Sequence, residues 1–75
     1  MKPKLHDFLT IGTCKTTRDR SYTYDVWEVI AANETHIQIV SLTKEGFFRG
    51  PHILQIHEYE FTDAKDFVTK MEIEK

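Results

Sequence analysis

Four histidines and one cysteine are the residues of this 75-residue chain that could hold a metal ion or act as nucleophiles. His52 and His57 are five positions apart, so an extended strand would place them on opposite faces, where they could not bind one ion together. His6 and His36 belong to other segments, and Cys14 has no CxxC partner or spaced Cys/His set. The sequence therefore predicts no metal site.

The remaining chemistry-bearing residues do not form a catalytic motif. Cys14 sits in Gly-Thr-Cys-Lys, which is not a nucleophile elbow, and is interpreted as a small side chain of a first strand. Glu58 and Glu60 would share one strand face, a pattern that fits an acid/base pair and a solvated face equally well. Gly46 and Gly50 do not open a helix, so no phosphate-binding loop is expected. We therefore expect no cofactor and no enzymatic activity.

Aromatic side chains are the strongest remaining lead, because they outnumber what one small core needs. Next to the basic residues of the chain, exposed rings would form a stacking surface for single-stranded nucleic acid. Rings and arginines are equally typical of protein-binding hot spots. The alternative is that the rings simply fill the core. The residues in question are Tyr22, Tyr24, Trp27, Phe47, Phe48, Tyr59 and Phe61, with Lys15, Arg18, Arg20 and Arg49 as the basic neighbours.

A partner-binding site is predicted on two polar or glycine-bounded segments, residues 16–21 and residues 46–51, because recognition residues usually lie on loops held by a rigid scaffold. Phe47 and Phe48 are adjacent, so on an extended chain at most one of them points inward. Arg49 beside them supplies a second hot-spot residue type. The predicted partner-binding residues are Phe47, Phe48, Arg49, Arg18, Arg20 and Tyr22.

Charge and cysteine usage restrict the expected partners and compartment. The net charge is −2, which disfavours a general nucleic-acid binder, although residues 1–24 carry a balance of +3 and residues 25–75 a balance of −5. A lone thiol suits a reducing cytoplasm. No apolar run is long enough for a signal peptide or a membrane span. We expect a cytoplasmic protein that does not bind membranes.

A long hairpin organises the predicted fold. Residues 22–32 and 35–42 are rich in β-branched and aromatic types, and Asn33-Glu34 between them suits a turn that needs positive φ. Their alternation breaks midway, which indicates a bulge or two covered faces. Further strands are predicted at residues 8–15, where Gly12 indicates a bulge or a close backbone approach, and at residues 52–61. Residues 43–51 form a loop or a very short strand, and Trp27 is placed in the core.

The spacing of the apolar residues changes from strand-like to helical at the end of the chain. Ala64, Phe67, Val68 and Met71 follow helical spacing, which predicts a docked helix at about residues 63–73, with Thr62 or Asp63 as N-cap. We therefore predict one mainly β domain spanning residues 1–75. It would be a small SH3-like or OB-like barrel of four to five antiparallel strands with a C-terminal α-helix.

Two functions remain open at this point. The favoured one is a small cytosolic protein-binding module that regulates or inhibits another protein. The alternative is a single-stranded nucleic-acid-binding small β-barrel, with nucleic acid the less favoured partner. Convergence of the basic residues on one face with exposed aromatics would favour nucleic acid; the residues concerned are Lys15, Arg18, Arg20, Lys44 and Arg49.

Overall fold

Five short antiparallel strands form one open sheet, and a short helix follows the last strand. The structure, a computed structural model, describes the backbone of residues 1–73 and the side chains of residues 1–69. The sheet order is β4-β3-β2-β1-β5, so β4 and β5 are the two edges. The mainly β class, the strand number and the C-terminal helix are thereby confirmed. The elements are β1 (Phe8–Ile11), β2 (Trp27–Ala32), β3 (His36–Ser41), β4 (His52–Gln55), β5 (Phe61–Asp63) and α1 (Lys65–Ile73).

The central hairpin is formed by β2 and β3, and it contains the predicted bulge. The register between the two strands shifts between Val29 and Ala31, which makes Ile30 the extra residue of the bulge. Ile30 is 38% exposed and Val29 before it is fully buried. In β3 the alternation is regular, with Ile37 and Ile39 facing the core. The predicted bulge is therefore present in β2, whereas the adjacent buried residues Val26 and Trp27 lie where the connector meets the strand.

The hairpin turn works differently from the prediction. We expected positive φ at Asn33, but among the described non-glycine residues only His6 and Arg18 have positive φ. Instead, Asn33 Oδ1 accepts the backbone N–H groups of Thr35 and His36, both at 2.9 Å. The side chain thus replaces part of the backbone turn, which is the other property that makes Asn common in turns.

Four predicted segments have different bounds in the structure, and the first strand of the hairpin, predicted from residue 22, begins only at Trp27 because residues 21–25 form a turn and a bend. The first strand ends at Ile11 rather than at residue 15, and Gly12 N–H donates to Glu60 O at 2.8 Å, the close backbone approach that its glycine indicated. The predicted strand at residues 52–61 is two strands, β4 and β5, separated by a 3-10 turn at Ile56–Glu58, and this turn explains the switch in parity. Residues 43–51 contain a second 3-10 turn, Gly46–Arg49, rather than a strand.

The core lies on one side of the sheet and is centred on Trp27, whose side chain is 1% exposed. Its placement in the core is confirmed. The indole Nε1–H donates to Tyr22 O at 3.0 Å, so the one polar atom of the ring is satisfied. The other members of the buried cluster are Leu9, Ile11, Val29, Ile37, Ile39, Leu54 and Phe61.

Helix α1 packs beside β1 at the sheet edge formed by β5. Ala64 is buried and its N–H donates to Phe8 O at 2.9 Å, while Val68 is half-buried and Phe67 is 42% exposed. The predicted cap is wrong by one residue: Ala64 O accepts the first helical bonds, from the N–H groups of Phe67 and Val68, so Ala64 occupies the N-cap position, and Asp63 Oδ1 accepts the N–H of Lys65 at 3.2 Å from the residue before it. Met71, the fourth residue of the predicted stripe, lies outside the described side chains. In the described part of the chain, no helix is both long and apolar enough to cross a membrane.

Replacing the core indole tests this packing. We expect Trp27→Ala to lower the free energy of unfolding by about 3–5 kcal/mol, the usual loss for a truncated buried aromatic. Tyr24→Ala is the matched control because Tyr24 is 82% exposed, and it should cost about 0.5 kcal/mol or less. Urea denaturation measures both. Similar losses in the two variants, or wild-type tryptophan emission like that of free tryptophan in water, would contradict the core assignment.

Candidate binding groove

A groove of about 370 Å³ opens where the connector preceding β2, the segment between β3 and β4, and the start of β4 meet. Aromatic residues make up most of its lining, and one aspartate and one lysine also contribute to it. We call it the aromatic groove. It is lined by Ser21, Tyr22, Tyr24, Asp25, Trp27, Lys44, Phe47, Phe48 and His52.

The floor of the aromatic groove consists of three rings that pack edge to face. The Tyr22 ring centroid lies 5.6 Å from that of Trp27 and 5.3 Å from that of His52, with interplanar angles of 71° and 65°. Trp27 and His52 are 5.6 Å apart at 81°. Burial, followed by the charge of Asp19, raises the pKa of the Tyr22 hydroxyl further above physiological pH. Edge-to-face contacts of this kind are favourable and orient the rings, so the floor is held in place before any ligand arrives.

The exposed wall of the groove comes from the 3-10 turn Gly46–Arg49. Phe47 and Phe48 are 85% and 69% exposed, and their rings pack at 5.7 Å and 84°. His52 Nε2 lies 3.2 Å from Phe48 O, and since a carbonyl only accepts, the imidazole N–H is the donor. The sequence argument assumed an extended chain, on which the two side chains would oppose each other. A 3-10 turn places successive residues about 120° apart, so both rings remain at the surface.

Gly50 ends this turn in a conformation that other residues avoid. Its φ is 103°, and a Cβ at this position would lie 2.8 Å from His52 N and 2.9 Å from Ile39 O. Both neighbours are backbone atoms, which cannot move aside cheaply. The exposed turn is therefore held closely against β3 and β4, and the missing side chain makes that approach possible.

The polar end of the groove is also fixed by hydrogen bonds. Asp25 is only 8% exposed, and its Oδ1 accepts the hydroxyl of Thr43 at 2.6 Å. Ser41 Oγ accepts the N–H groups of Thr43 and Lys44 at 3.0 and 2.9 Å. No buried side-chain nitrogen or oxygen of the described residues lacks a partner. The start of the β3–β4 segment is thus tied to the residues preceding β2 as well as to its own strand.

The structure brings three of the six predicted site residues together. Tyr22, Phe47 and Phe48 line the aromatic groove. Arg49 lines a separate depression beside the end of β3, and Arg18 and Arg20 are exposed on the connector without lining the groove. Sequence reasoning did not include Tyr24, Asp25, Lys44 and His52 in the site. For Tyr24 and Asp25, the pattern Tyr22-x-Tyr24-Asp25 was a sequence signal that could have placed them in the site.

Cys14 lies apart from the groove, in the connector that follows β1 and not in the first strand, where the sequence placed it. Its Sγ is 3.3 Å from Thr16 Oγ1, and its side chain is 3% exposed. Hydrogen bonds from Thr16 and then Thr17 hold the pKa of the thiol at about 7, below its ordinary 9.0, and outweigh the opposing effect of burial. Burial, followed by the nearby Cys14, raises the pKa of Tyr59. The thiol is a structural contact of the connector that ionises near neutral pH.

Within residues 1–69 no three His, Cys, Asp or Glu side chains are grouped so that they could hold a metal ion. His52 belongs to the aromatic floor and His36 lies in the hairpin, with Nδ1 2.7 Å from Thr35 Oγ1. Comparison of the chain with protein-family models, with curated proteins and with solved structures finds no match. The groove must therefore be interpreted from its own geometry.

Substitution of the two glycines that bound the exposed turn tests how it is held. Gly50→Ala should lower the free energy of unfolding by about 2–5 kcal/mol, because it adds a strained φ and an overpacked backbone contact. Gly46→Ala is the control. Gly46 has a φ of 65°, but a Cβ added there would meet no atom within 4 Å, so only the conformational cost of about 1 kcal/mol is expected. Equal losses in urea denaturation would show that the close approach at Gly50 is absent.

The lowered pKa of Cys14 predicts how stability depends on pH. A thiol with a pKa of about 7 in the folded chain and 9.0 when unfolded stabilises the fold as thiolate, fully above pH 9, and this contribution disappears as the pH falls through 7. The free energy of unfolding of the wild type, relative to that of Cys14→Ser, should therefore rise between pH 7 and pH 9. Parallel urea titrations of both proteins measure the difference. A difference that is constant over this range would contradict the prediction.

Proposed function

We propose that this chain is a small cytosolic protein-binding module that regulates or inhibits its partner through the aromatic groove. The observation that carries the proposal is the exposure of three large rings, Tyr24, Phe47 and Phe48, around one concave site. Single exposed apolar residues are common, but a contiguous group beside a groove is typical of an interaction surface. Tyrosine and other aromatic residues are the side chains that most often anchor protein interfaces.

Rigidity of the groove supports the same function. The floor rings are locked by mutual edge contacts and by the Trp27 bond to Tyr22 O, and the wall is held at Gly50. A surface that is already ordered loses little conformational entropy when it binds. Each exposed ring also has only two side-chain torsions to restrict, which lowers that cost further.

The strand order and connections also fit a known scaffold of protein-binding modules. We propose that the sheet is part of an SH3-like rather than an OB-like barrel. Supporting this, β1 lies between β2 and β5, a long connector follows β1, and a 3-10 turn precedes β5. The site would then lie on loops and strand ends of a small β scaffold, as recognition sites commonly do.

Single-stranded nucleic acid is the less favoured ligand. Among the described side chains, Lys44 is the only lysine or arginine that lines the aromatic groove, and Arg18, Arg20 and Arg49 lie outside it. Asp25 places a carboxylate in the groove, where it would repel a phosphate backbone. Since phosphate contacts supply most of the affinity for single strands, a groove with this charge favours a protein partner.

Affinity capture tests the proposal. The wild type, the double variant Phe47→Ala/Phe48→Ala and the control Ile53→Ala are used as bait in lysate of the source cell, with and without nuclease. Ile53 is 63% exposed on β4 but does not line the aromatic groove, so its variant removes apolar surface elsewhere. We expect the wild type and Ile53→Ala to retain one protein partner after nuclease treatment and the double variant to lose it.

Three results would contradict the proposal. Loss of the captured material on nuclease treatment would favour nucleic acid. Equal capture by the double variant would remove the partner from this groove. Capture that depends instead on Glu58 and Glu60 would place the site on the carboxylate-bearing surface near β5.

A further inference from the structure

We infer that the aromatic groove recognises a methylated ammonium group, carried on a lysine side chain of the partner protein. This inference rests on the proposed function and specifies the chemistry of the same site. It depends on two features of the groove, the arrangement of its rings and the carboxylate among them. Aromatic faces attract cations through the ring quadrupole, and enclosures of several rings are the usual sites for quaternary ammonium groups.

The rings of the groove are steeply inclined to one another and do not share one plane. Phe47 is close to perpendicular to Phe48 and to His52, at 84° in both cases, and His52 is steeply inclined to Tyr22 at 65°. Phe47 and Phe48 remain 85% and 69% exposed in these contacts, so differently oriented rings keep open surface beside the groove. A tetrahedral methylated ammonium can contact several such faces at once, whereas a planar base or guanidinium stacks best on one.

The charge of Asp25 complements such a cation. Asp25 lines the groove and is largely buried, so the field of its carboxylate is screened less than that of a surface charge. Thr43 occupies Oδ1, and no described residue donates to Oδ2. Every fully buried side-chain oxygen of the described residues has a hydrogen-bond partner. Oδ2 has none, so it is not fully buried and retains contact with solvent. The carboxylate is therefore fixed at one oxygen and keeps some contact with solvent at the other.

Lys44 is the one feature that opposes binding of a cation, because it also lines the groove. It is exposed, and its long side chain can move its ammonium into water. A lysine ammonium is strongly hydrated, so leaving that water for ring faces is costly. Methylation removes hydrogen-bond donors from an ammonium and weakens its hydration. A methylated ammonium therefore loses less hydration on moving to the ring faces than the ammonium of Lys44 would.

A charge-matched pair of small probes separates attraction to a cation from simple burial of methyl groups. Choline and its neutral carbon isostere, 3,3-dimethyl-1-butanol, are titrated separately into the full-length ¹⁵N-labelled protein, and the indole Nε1–H signal of Trp27 and the amides of Phe47 and Phe48 are followed by NMR. We expect choline to bind about fivefold or more tightly than the isostere, the ratio that one modest cation–π contact provides. Phe47→Ala should weaken choline binding, and Ile53→Ala should not.

Two further variants test the charges. Asp25→Asn keeps an acceptor for Thr43 but removes the negative charge, so it should weaken binding of choline and leave that of the isostere unchanged. Lys44→Met removes the opposing cation and should strengthen choline binding alone. An unfolded variant is recognised from its NMR spectrum, and Lys44→Met then still decides the question because Lys44 is exposed.

The inference is overturned if choline does not bind, if choline and the isostere bind equally, or if N-acetylarginine amide binds more tightly than choline. None of these results affects the capture experiment. Should capture depend on Phe47 and Phe48 while choline shows no advantage, the protein-binding function stands and the cation assignment fails. Should capture be independent of both residues, the proposed function itself fails.

Discussion

The structure depends most on the burial of Trp27 and on the hydrogen bond from its indole to Tyr22 O. Trp27 opens β2 and fills the centre of the core, so its burial supplies a large part of the apolar contact that a chain of 75 residues can form. Its N–H must find an acceptor once the ring is buried. The carbonyl that accepts it belongs to the connector, so the same interaction fixes the residues that line the groove.

Function and fold therefore use aromatic residues in two separate ways. Trp27 and Phe61 are buried and stabilise the sheet, whereas Tyr24, Phe47 and Phe48 are exposed and contribute little to it. Tyr22 and His52 lie between the two groups, and their rings contact each other. These contacts orient the surface rings relative to the core. The surplus of rings in the sequence is thus divided between a core and a candidate binding surface, as the two competing interpretations each described in part.

Residue types predicted the fold more successfully than they predicted the site. The strand segments, the bulge in β2 and helix α1 follow from periodicity, which depends on neighbours along the chain. The 3-10 turns at Gly46–Arg49 and Ile56–Glu58 were missed because short turns of this kind have no periodic signal. The site brings together Asp25, Lys44 and His52 from segments that are distant in sequence, and only the sheet order places them side by side.

The exposed turn that carries Phe47 and Phe48 has a consequence for how this protein can change over evolutionary time. Its anchoring is done by Gly50 and by backbone groups, while its two rings lie outside the core. Replacement of either exposed ring is expected to leave the folding of the sheet nearly untouched. Under the proposed function, partner choice and foldability would then be decoupled, and selection or laboratory design could change the partner at these two positions without first compensating for lost stability.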